Sequence, residues 1–131
     1  MILPPNSIIA SGPVIIENGK VLLDKEKKDY GITPWLFPGG KANDDETDLE
    51  AVCRREVMEE MGIEVELIKQ LRTIEKEQNG KRYVLHHFLA KRIGEIKPGK
   101  DIVEWAWHDI NNLPPDCAPN VYEIIRDIRG A

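Results

Sequence analysis

The stretch of sequence that decides the fold spans residues 39–63 and reads GGKANDDETDLEAVCRREVMEEMGI. Residues 47–50, Thr-Asp-Leu-Glu, fit a capping box, in which the threonine hydroxyl and the glutamate carboxylate satisfy backbone donors at a helix start. Gly62 supplies the matching signal for the end of the helix. The pattern therefore predicts a helix over residues 48–61.

Acidic side chains interrupt the apolar face of this predicted helix. At about 100° per residue, the apolar stripe consists of Leu49, Val52, Cys53, Val57 and Met61. Glu56 and Glu60 fall inside this stripe, and Glu59 borders it. Such closely spaced like charges repel, and their partial burial is costly unless an arginine, a raised pKa or a divalent cation compensates.

Three clustered oxygen ligands suit Mg²⁺ or Mn²⁺ best among these compensating groups. The alternative is a solvated acidic helix face, which is common and costs little. Periodicity alone leaves both interpretations open.

Composition and charge limit the class of protein. The length of 131 residues predicts a single domain over residues 1–131 with one core. The net charge of the chain is −5. Residues 44–66 carry ten carboxylates and only two arginines. This acidic balance disfavours long nucleic acids as partners. Residues 1–5 lack the basic start of a secretory signal and no apolar run is long enough to span a membrane, so we expect no membrane partner and a cytoplasmic location.

The remaining sequence predicts strands on both sides of the helix and a second helix near the end of the chain. The predicted elements are a hairpin of strands 7–16 and 21–23, an exposed loop over 25–34, a second hairpin of strands 64–75 and 82–91, a short strand over 101–107, and a helix over 120–129. Strands flanked by two helices indicate a mixed α/β layer.

Taken together, residues 40–46 and 55–63 resemble the Nudix box of the Nudix hydrolases. The family pattern is Gly, five residues, Glu, seven residues, then Arg-Glu-apolar-any-Glu-Glu-any-Gly-apolar. The preceding residues 35–41, Trp-Leu-Phe-Pro-Gly-Gly-Lys, are also similar to the entry that family members have. The resemblance, which is MutT-like, implies an α/β fold of the Nudix type, an α/β/α sandwich with a mixed β-sheet.

The resemblance implies a metal site on the predicted helix. Glu56, Glu59 and Glu60 would bind Mg²⁺ or Mn²⁺, and a backbone oxygen at Gly39 or Gly40 would add a ligand. Glu104 resembles the glutamate of the Glu-Trp pair of MutT-type members, where that residue helps to bind metal. An exposed strand carboxylate is the alternative reading of this glutamate.

The sequence departs from the family pattern at one point. Eight residues, rather than seven, separate Glu46 from Arg55. The resemblance assigns these two residues to an ion pair that orients the helix and its loop. Arg54 satisfies the family spacing to the glutamate whereas Arg55 satisfies the helix register, so either arginine could form the pair.

The implied activity is hydrolysis of a nucleoside diphosphate linked to another group, by attack of water on phosphorus. A carboxylate within reach of a metal-bound water must take its proton, and Glu56 and Glu59 are the leading candidates. Lys41 or Lys25 could hold terminal phosphates, although solvated lysines are common. Asn120 resembles the position from which MutT-type enzymes read a purine edge, and a helix N-cap explains it equally well.

The expected substrate class rests on residues downstream of the box that distinguish members of the family. The proline of ADP-ribose hydrolases is absent, because Glu77 stands there, and the corresponding tyrosine of diadenosine polyphosphate hydrolases is also absent. We therefore favour a small nucleotide substrate, a nucleoside triphosphate that could be an oxidised one, cleaved to monophosphate and pyrophosphate. The alternatives are a dinucleoside polyphosphate or ADP-ribose hydrolase and a non-catalytic nucleotide sensor. Family members are often homodimers, but the sequence shows no signature of one.

Overall fold

A computed structural model describes residues 7–131 of the chain. The expectation about a signal sequence concerns residues 1–5 and lies outside the described residues. In chain order the elements are β1 (Ser7–Glu17), β2 (Lys20–Lys28), β3 (Gly31–Ile32), β4 (Gly40–Lys41), α1 (Leu49–Met61), β5 (Glu64–Gln70), β6 (Ile74–Gln78), β7 (Lys81–Ile93), β8 (Ile102–Asp109) and α2 (Pro119–Gly130).

Strand β1 is the centre of a mixed sheet. It runs parallel to β7 and antiparallel to β2 and β4. Strand β2 in turn pairs with β3 and β8, while β7 pairs with β5 and β6. The sequence prediction of a mixed sheet is therefore confirmed.

The two helices cover opposite faces of this sheet. On one face, Val57 and Met61 of α1 pack against Ile15 of β1 and its neighbours. On the other face, Val121 and Ile124 of α2 belong to a second buried cluster. Successive residues of a strand point to opposite faces, so β1 and β2 contribute to both clusters. The predicted α/β/α sandwich is confirmed.

Helix α1 begins one residue later than the capping box predicts. The N-cap is Asp48, whose carboxylate accepts hydrogen bonds from the backbone N–H groups of Glu50 and Ala51 at 3.1 and 3.2 Å. The prediction that the residue-47 hydroxyl caps the helix is therefore wrong, because the neighbouring carboxylate takes that role. The predicted end is confirmed: Gly62 has a φ of 66° and donates its N–H to the carbonyl of Met58.

Strand β2 is longer than the sequence analysis predicts. The predicted strand ends at residue 23 and is followed by an exposed loop, whereas the observed strand continues to Lys28. It does so because β8 pairs with it from Lys20 to Glu26, and β3 pairs with Lys27 and Lys28. Alternation along this extension turns Asp24 and Glu26 towards α1, where both are buried.

The segment predicted as one strand over residues 64–75 is divided in two. Strands β5 and β6 both pair with β7, and residues 71–73 between them belong to neither. The predicted hairpin turn into β7 is confirmed, with Asn79 and Gly80 at positive φ. The final helix is also confirmed, with bounds one residue wider at each end than predicted.

Two glycines allow the loop over residues 38–40 to lie directly on β1. A Cβ atom on Gly12 would stand 2.1 Å from the carbonyl oxygen of Pro38. Gly39 has a φ of +140°, and its Cβ would stand 2.6 Å from the Cα of Gly12. Both near neighbours are backbone atoms, which cannot rotate away. This close approach fixes the loop that contacts the carboxylates of α1.

We expect the substitution Gly12→Ala to reduce the free energy of unfolding by about 2 kcal/mol or more, because the methyl group must displace backbone. Gly130→Ala is the control, since nothing lies within 4 Å of its added Cβ. Urea denaturation followed by circular dichroism measures both variants. Equal stability of the two variants would contradict the close approach.

Candidate active site

An acidic cleft of about 340 Å³ lies between helix α1 and the end of strand β2. We use the term acidic cleft for the space whose charged lining residues are Glu26, Lys28, Glu56, Glu59, Glu60, Lys100 and Asp101. The three box glutamates therefore open onto one space, as the helix pattern predicts. The cleft also receives a carboxylate from β2, which the Nudix box does not include.

Glu60 reaches from α1 into a buried group of carboxylates. One oxygen each of Asp24, Glu26 and Glu60 lie within 4.8 Å of one another. Oxygen Oε1 of Glu60 accepts a hydrogen bond from the backbone N–H of Gly39 at 2.7 Å. Within residues 7–131, neither carboxylate oxygen of Asp24 has a hydrogen-bond partner. The loop that rests on β1 thus orients the innermost glutamate of α1.

Glu56 occupies the space that a side chain at position 40 would need. A Cβ atom on Gly40 would stand 2.2 Å from Oε2 of Glu56. The side chain of Glu56 is only 14% exposed, whereas that of Glu59 is 57% exposed. The absence of a side chain at Gly40 therefore brings the carboxylate of Glu56 against the loop backbone.

Arg55, and not Arg54, forms the ion pair with Glu46. Its Nε and Nη2 donate to the two oxygens of Glu46 at 2.9 and 2.6 Å. Its Nη1 donates to Glu56 at 3.0 Å and to Glu59 at 3.1 Å. Arg54 lies on the exposed side of the helix, 4.0 Å from Glu50. The start of α1 at residue 49 absorbs the extra residue, so the helix register decides the pairing.

The pKa values in this network follow from the same contacts. The hydrogen bonds from Arg55 lower the pKa of Glu46, and this partner raises the pKa of Arg55. Both effects favour the charged forms of the pair. One guanidinium thus connects the loop carboxylate to two carboxylates of the cleft.

We expect Arg55→Ala to lower the free energy of unfolding by about 1 to 3 kcal/mol, because it leaves three carboxylates without their charged donor. Arg54→Ala is the matched control on the same helix and should change stability little. Thermal and urea unfolding in the presence of a chelator measure both. Equal losses from the two substitutions would contradict the assignment of the ion pair to Arg55, and a larger loss from Arg54→Ala would assign it to Arg54.

Burial raises the pKa of three carboxyl groups at the cleft. Desolvation is the main cause for Asp24, Glu56 and Glu60. For Asp24 and Glu60, the nearby carboxylate of Glu26 is the next contribution in the same direction. Removal from water and mutual repulsion both disfavour the ionised forms. Without a cation, the cleft therefore favours bound protons.

This shift predicts a pH dependence of stability in the metal-free protein. A raised carboxyl pKa makes the folded state bind more protons than the unfolded state, so the stabilisation is present below the unfolded pKa and is lost as pH rises. Asp24→Asn keeps the shape and removes the charge. From about pH 5 to about pH 8 we expect the melting temperature of the wild type to fall relative to this variant.

Thermal unfolding in a chelator, measured for both proteins across this range, tests the expectation. Asp45→Asn, which alters an exposed carboxylate of the loop, should give a profile parallel to that of the wild type. A parallel profile for Asp24→Asn as well would contradict the raised pKa.

A second cavity, of about 180 Å³, is lined in part by the loop over residues 38–40. We call it the ring pocket; its lining includes Gly12, Phe37, Gly39, Tyr83, His87 and Asn120. Asn120 is the second residue of α2, whose N-cap is Ala118, so the N-cap explanation of Asn120 is wrong. Its Nδ2 instead lies 3.1 Å from Nε2 of His87.

The hydrogen bonds of His87 define how Asn120 faces the ring pocket. Nδ1 of His87 lies 3.0 Å from the carbonyl oxygen of Arg72, which can only accept, so Nδ1 carries the proton. Nε2 of His87 therefore accepts from the amide of Asn120, and burial lowers the pKa of this imidazole. The amide oxygen of Asn120 remains as a hydrogen-bond acceptor.

Other predicted site residues lie elsewhere. Lys25 stands opposite Glu104 in the pairing of β2 with β8, on the face of the sheet away from Asp24. Its Nζ bonds Asp116 at 2.8 Å. The structure therefore does not bring Lys25 or Glu104 into the acidic cleft. Lys41 is exposed on β4, at the second residue of the box.

Five charged residues of this region were not predicted from the sequence. They are the buried carboxylates Asp24 and Glu26 on β2, together with Lys28, Lys100 and Asp101 of the cleft lining. The sequence did contain a signal for the two carboxylates of β2, because residues 22, 24 and 26 lie on the same face of a strand. The signal was lost because the predicted strand ended at residue 23. No sequence pattern marks Lys100, which the loop before β8 brings to the cleft.

The residues of the cleft fit a divalent cation. All candidate ligands are oxygen atoms, the donor type that Mg²⁺ and Mn²⁺ prefer. Among the described residues, the two buried oxygens of Asp24 have no hydrogen-bond donor, so a cation would supply the missing partner. The donor set, charge and burial are therefore consistent with the metal site that the helix pattern predicts.

The fold and the acidic cleft define an α/β/α protein of the Nudix type. The model of the NUDIX domain matches residues 8–128, and the chain belongs to this family. Neither helix of residues 7–131 is long and apolar enough to span a membrane.

Known relatives carry several activities. The chain is 30% identical over 103 residues to an oxidized purine nucleoside triphosphate hydrolase of Danio rerio, covering 77% of this chain and 65% of the relative. It is 32% identical over 110 residues to an ADP-ribose pyrophosphatase of Methanocaldococcus jannaschii, covering 81% and 64%. The chain thus spans slightly less than two thirds of each relative.

Solved structures show the same architecture. A MutT NUDIX hydrolase from Burkholderia pseudomallei superimposes with a TM-score of 0.83 and 25% identity, covering 93% of this chain and 98% of that chain. A MutT protein from Methanosarcina mazei Go1 has a TM-score of 0.82 at 23% identity, covering 99% and 100%. At 23% identity, the similarity to the Methanosarcina protein supports the fold alone.

Proposed function

We propose that this protein is a divalent-metal-dependent hydrolase of nucleoside triphosphates, including oxidised purine nucleotides, which it cleaves to a monophosphate and pyrophosphate. The observation that carries the proposal is the arrangement of two cavities around one loop. Residues 38–40 line the ring pocket, and Gly39 and Gly40 of the same loop contact Glu60 and Glu56, which line the acidic cleft. A substrate with a base at one end and phosphates at the other matches this arrangement.

The loop backbone connects the two cavities. Gly39 lines the ring pocket and donates its N–H to Glu60 of the acidic cleft. Gly40 lines the ring pocket and contacts Glu56. A nucleotide that crosses these glycines would place its base beside Asn120 and its phosphates over the carboxylates. The relative that acts on oxidized purine nucleoside triphosphates supports this substrate class.

Glu56, Glu60 and the carbonyl oxygen of Gly40 would hold Mg²⁺ or Mn²⁺ in this reaction. A bound divalent ion neutralises phosphate oxygens and makes water a stronger nucleophile at neutral pH. Lys28 and Lys100 line the same cleft and would offset the remaining phosphate charge. Arg55 holds the carboxylate of Glu56 in place, and it is itself held by hydrogen bonds to Glu46.

Glu59 is the proposed general base. Water attacks phosphorus, the anhydride P–O bond breaks with its electrons on the leaving oxygen, and an oxygen of Glu59 takes the proton of the water. Glu59 suits this role because it is the most exposed of the three box glutamates and Arg55 holds it at the cleft wall. Glu56 is buried against Gly40, which suits a ligand better.

We expect release of pyrophosphate from nucleoside triphosphates with Mg²⁺ and none with a chelator. The panel contains ordinary and oxidised nucleoside triphosphates, ADP-ribose and diadenosine polyphosphates. Preference for ADP-ribose would assign the activity of the archaeal relative instead. No turnover on any compound would overturn the enzyme proposal in favour of a nucleotide-binding protein.

The roles of the glutamates are tested separately. We expect Glu59→Gln to lower kcat by about 10²-fold or more with little change in Mn²⁺ affinity. Glu56→Gln should weaken Mn²⁺ binding itself. Glu50→Gln is the matched control, because Glu50 is exposed on the same helix and pairs with Arg54. Unchanged turnover in Glu59→Gln would contradict the assignment of the base.

A further inference from the structure

The carboxylates that β2 contributes form a group distinct from the helix pattern. Asp24 is fully buried and Glu26 is 4% exposed, and both have an oxygen within 4.8 Å of one on Glu60. Only Glu60 belongs to the Nudix box. Asp24 and Glu26 therefore require their own explanation, because buried carboxylates are costly unless paired or bound to a cation.

Backbone contacts hold both strand carboxylates in place. Asp24 exchanges two backbone hydrogen bonds with Leu36, at 2.9 and 2.8 Å. The backbone N–H of Glu26 donates to the hydroxyl of the buried Thr33 at 2.9 Å, and the N–H of Thr33 donates to the carbonyl of Glu26 at 3.0 Å. These contacts prevent the strand from turning its carboxylates out to solvent.

The cationic side chains nearby do not neutralise this group. Lys28 lies 3.1 Å from Glu26, but it is half exposed at the mouth of the cleft. Arg55 is engaged by Glu46 and the outer carboxylates of α1. Among the described residues, Asp24 has no donor to either oxygen. Three carboxylates therefore share one lysine, and the innermost carboxylate has no partner.

We propose that Asp24, Glu26 and Glu60 form a second divalent-cation site at the floor of the acidic cleft, which binds Mg²⁺ or Mn²⁺ before any nucleotide arrives. Only oxygen donors are present, and opposite ligands of such an ion lie about 4 Å apart, which the observed spread of these oxygens accommodates. The cation would join β2, α1 and, through Glu60, the loop at Gly39.

This site shares Glu60 with the catalytic metal site of the proposed function and is otherwise separate from it. Glu56 and Glu59 lie on the α1 side, whereas Asp24 and Glu26 lie on the strand. The two sites can therefore be emptied separately by substitutions on different elements. A cation at the strand site would fix the cleft floor whichever substrate the protein uses.

The test is a titration of the nucleotide-free protein with Mn²⁺, with bound metal counted by electron paramagnetic resonance. We expect Asp24→Asn to lose one Mn²⁺ per chain, or to bind it about tenfold more weakly or worse. Glu56→Gln should lose the other ion. Asp45→Asn is the control for general loss of acidic charge, and it should bind as the wild type does.

Equal Mn²⁺ stoichiometry and affinity in Asp24→Asn and the wild type would overturn the proposal, and would mean that Asp24 is a neutral buried acid. If Asp24→Asn does not fold, Glu26→Gln takes its place with the same two outcomes. The wild type alone gives a further readout, because two neighbouring Mn²⁺ ions broaden each other's spectra. At saturation with Mn²⁺, a spectrum without this broadening would also overturn the proposal. Since no nucleotide is present, failure of the hydrolysis panel leaves this result unaffected.

Discussion

The burial of several carboxylates at one place is the constraint on which the rest of this structure depends. Helix α1 and strand β2 each direct acidic side chains towards the other, and Asp24 is fully buried. Repulsion and desolvation raise the pKa values of these groups in the metal-free chain. The fold can keep them close only because backbone pairs secure β2, and apolar residues such as Val57 and Met61 anchor the helix in the core. A divalent cation bound between these carboxylates, as proposed, would replace their repulsion by attraction to the ion.

The loop over residues 38–40 links that constraint to substrate recognition. Its close contact with Gly12 brings two backbone positions to the carboxylates, and the same positions border the ring pocket. In the proposed function, this one segment would set the spacing between the base and the phosphates of the substrate. Residues 44–66, which include the three box glutamates, carry ten of the 23 acidic residues of the chain.

The sequence was sufficient for the helix bounds to within one residue, because these depend on local periodicity and capping. The α/β/α sandwich and the choice of the three box glutamates as metal ligands came from the resemblance to the Nudix family. The sequence was insufficient where pairing between distant segments of the chain determines the length of a strand. Strand β2 extends through Glu26 because β8 pairs with it, and no local pattern shows that partner. The choice between Arg54 and Arg55 also required the actual start of the helix. Asn120 was assigned to the site by resemblance, and only the observed start of α2, with its N-cap at Ala118, excludes the alternative of a helix cap.

The most direct test of the metal centre is anomalous diffraction from crystals of the protein grown with Mn²⁺ and without nucleotide. We expect anomalous density within coordination distance of Glu56 and Glu60, and a second peak among Asp24, Glu26 and Glu60. Density at the first place alone would confine the cation to the helix and contradict the strand site. A protein saturated with Mn²⁺ that shows no density beside any of these carboxylates would contradict the central claim that the acidic cleft is a metal centre.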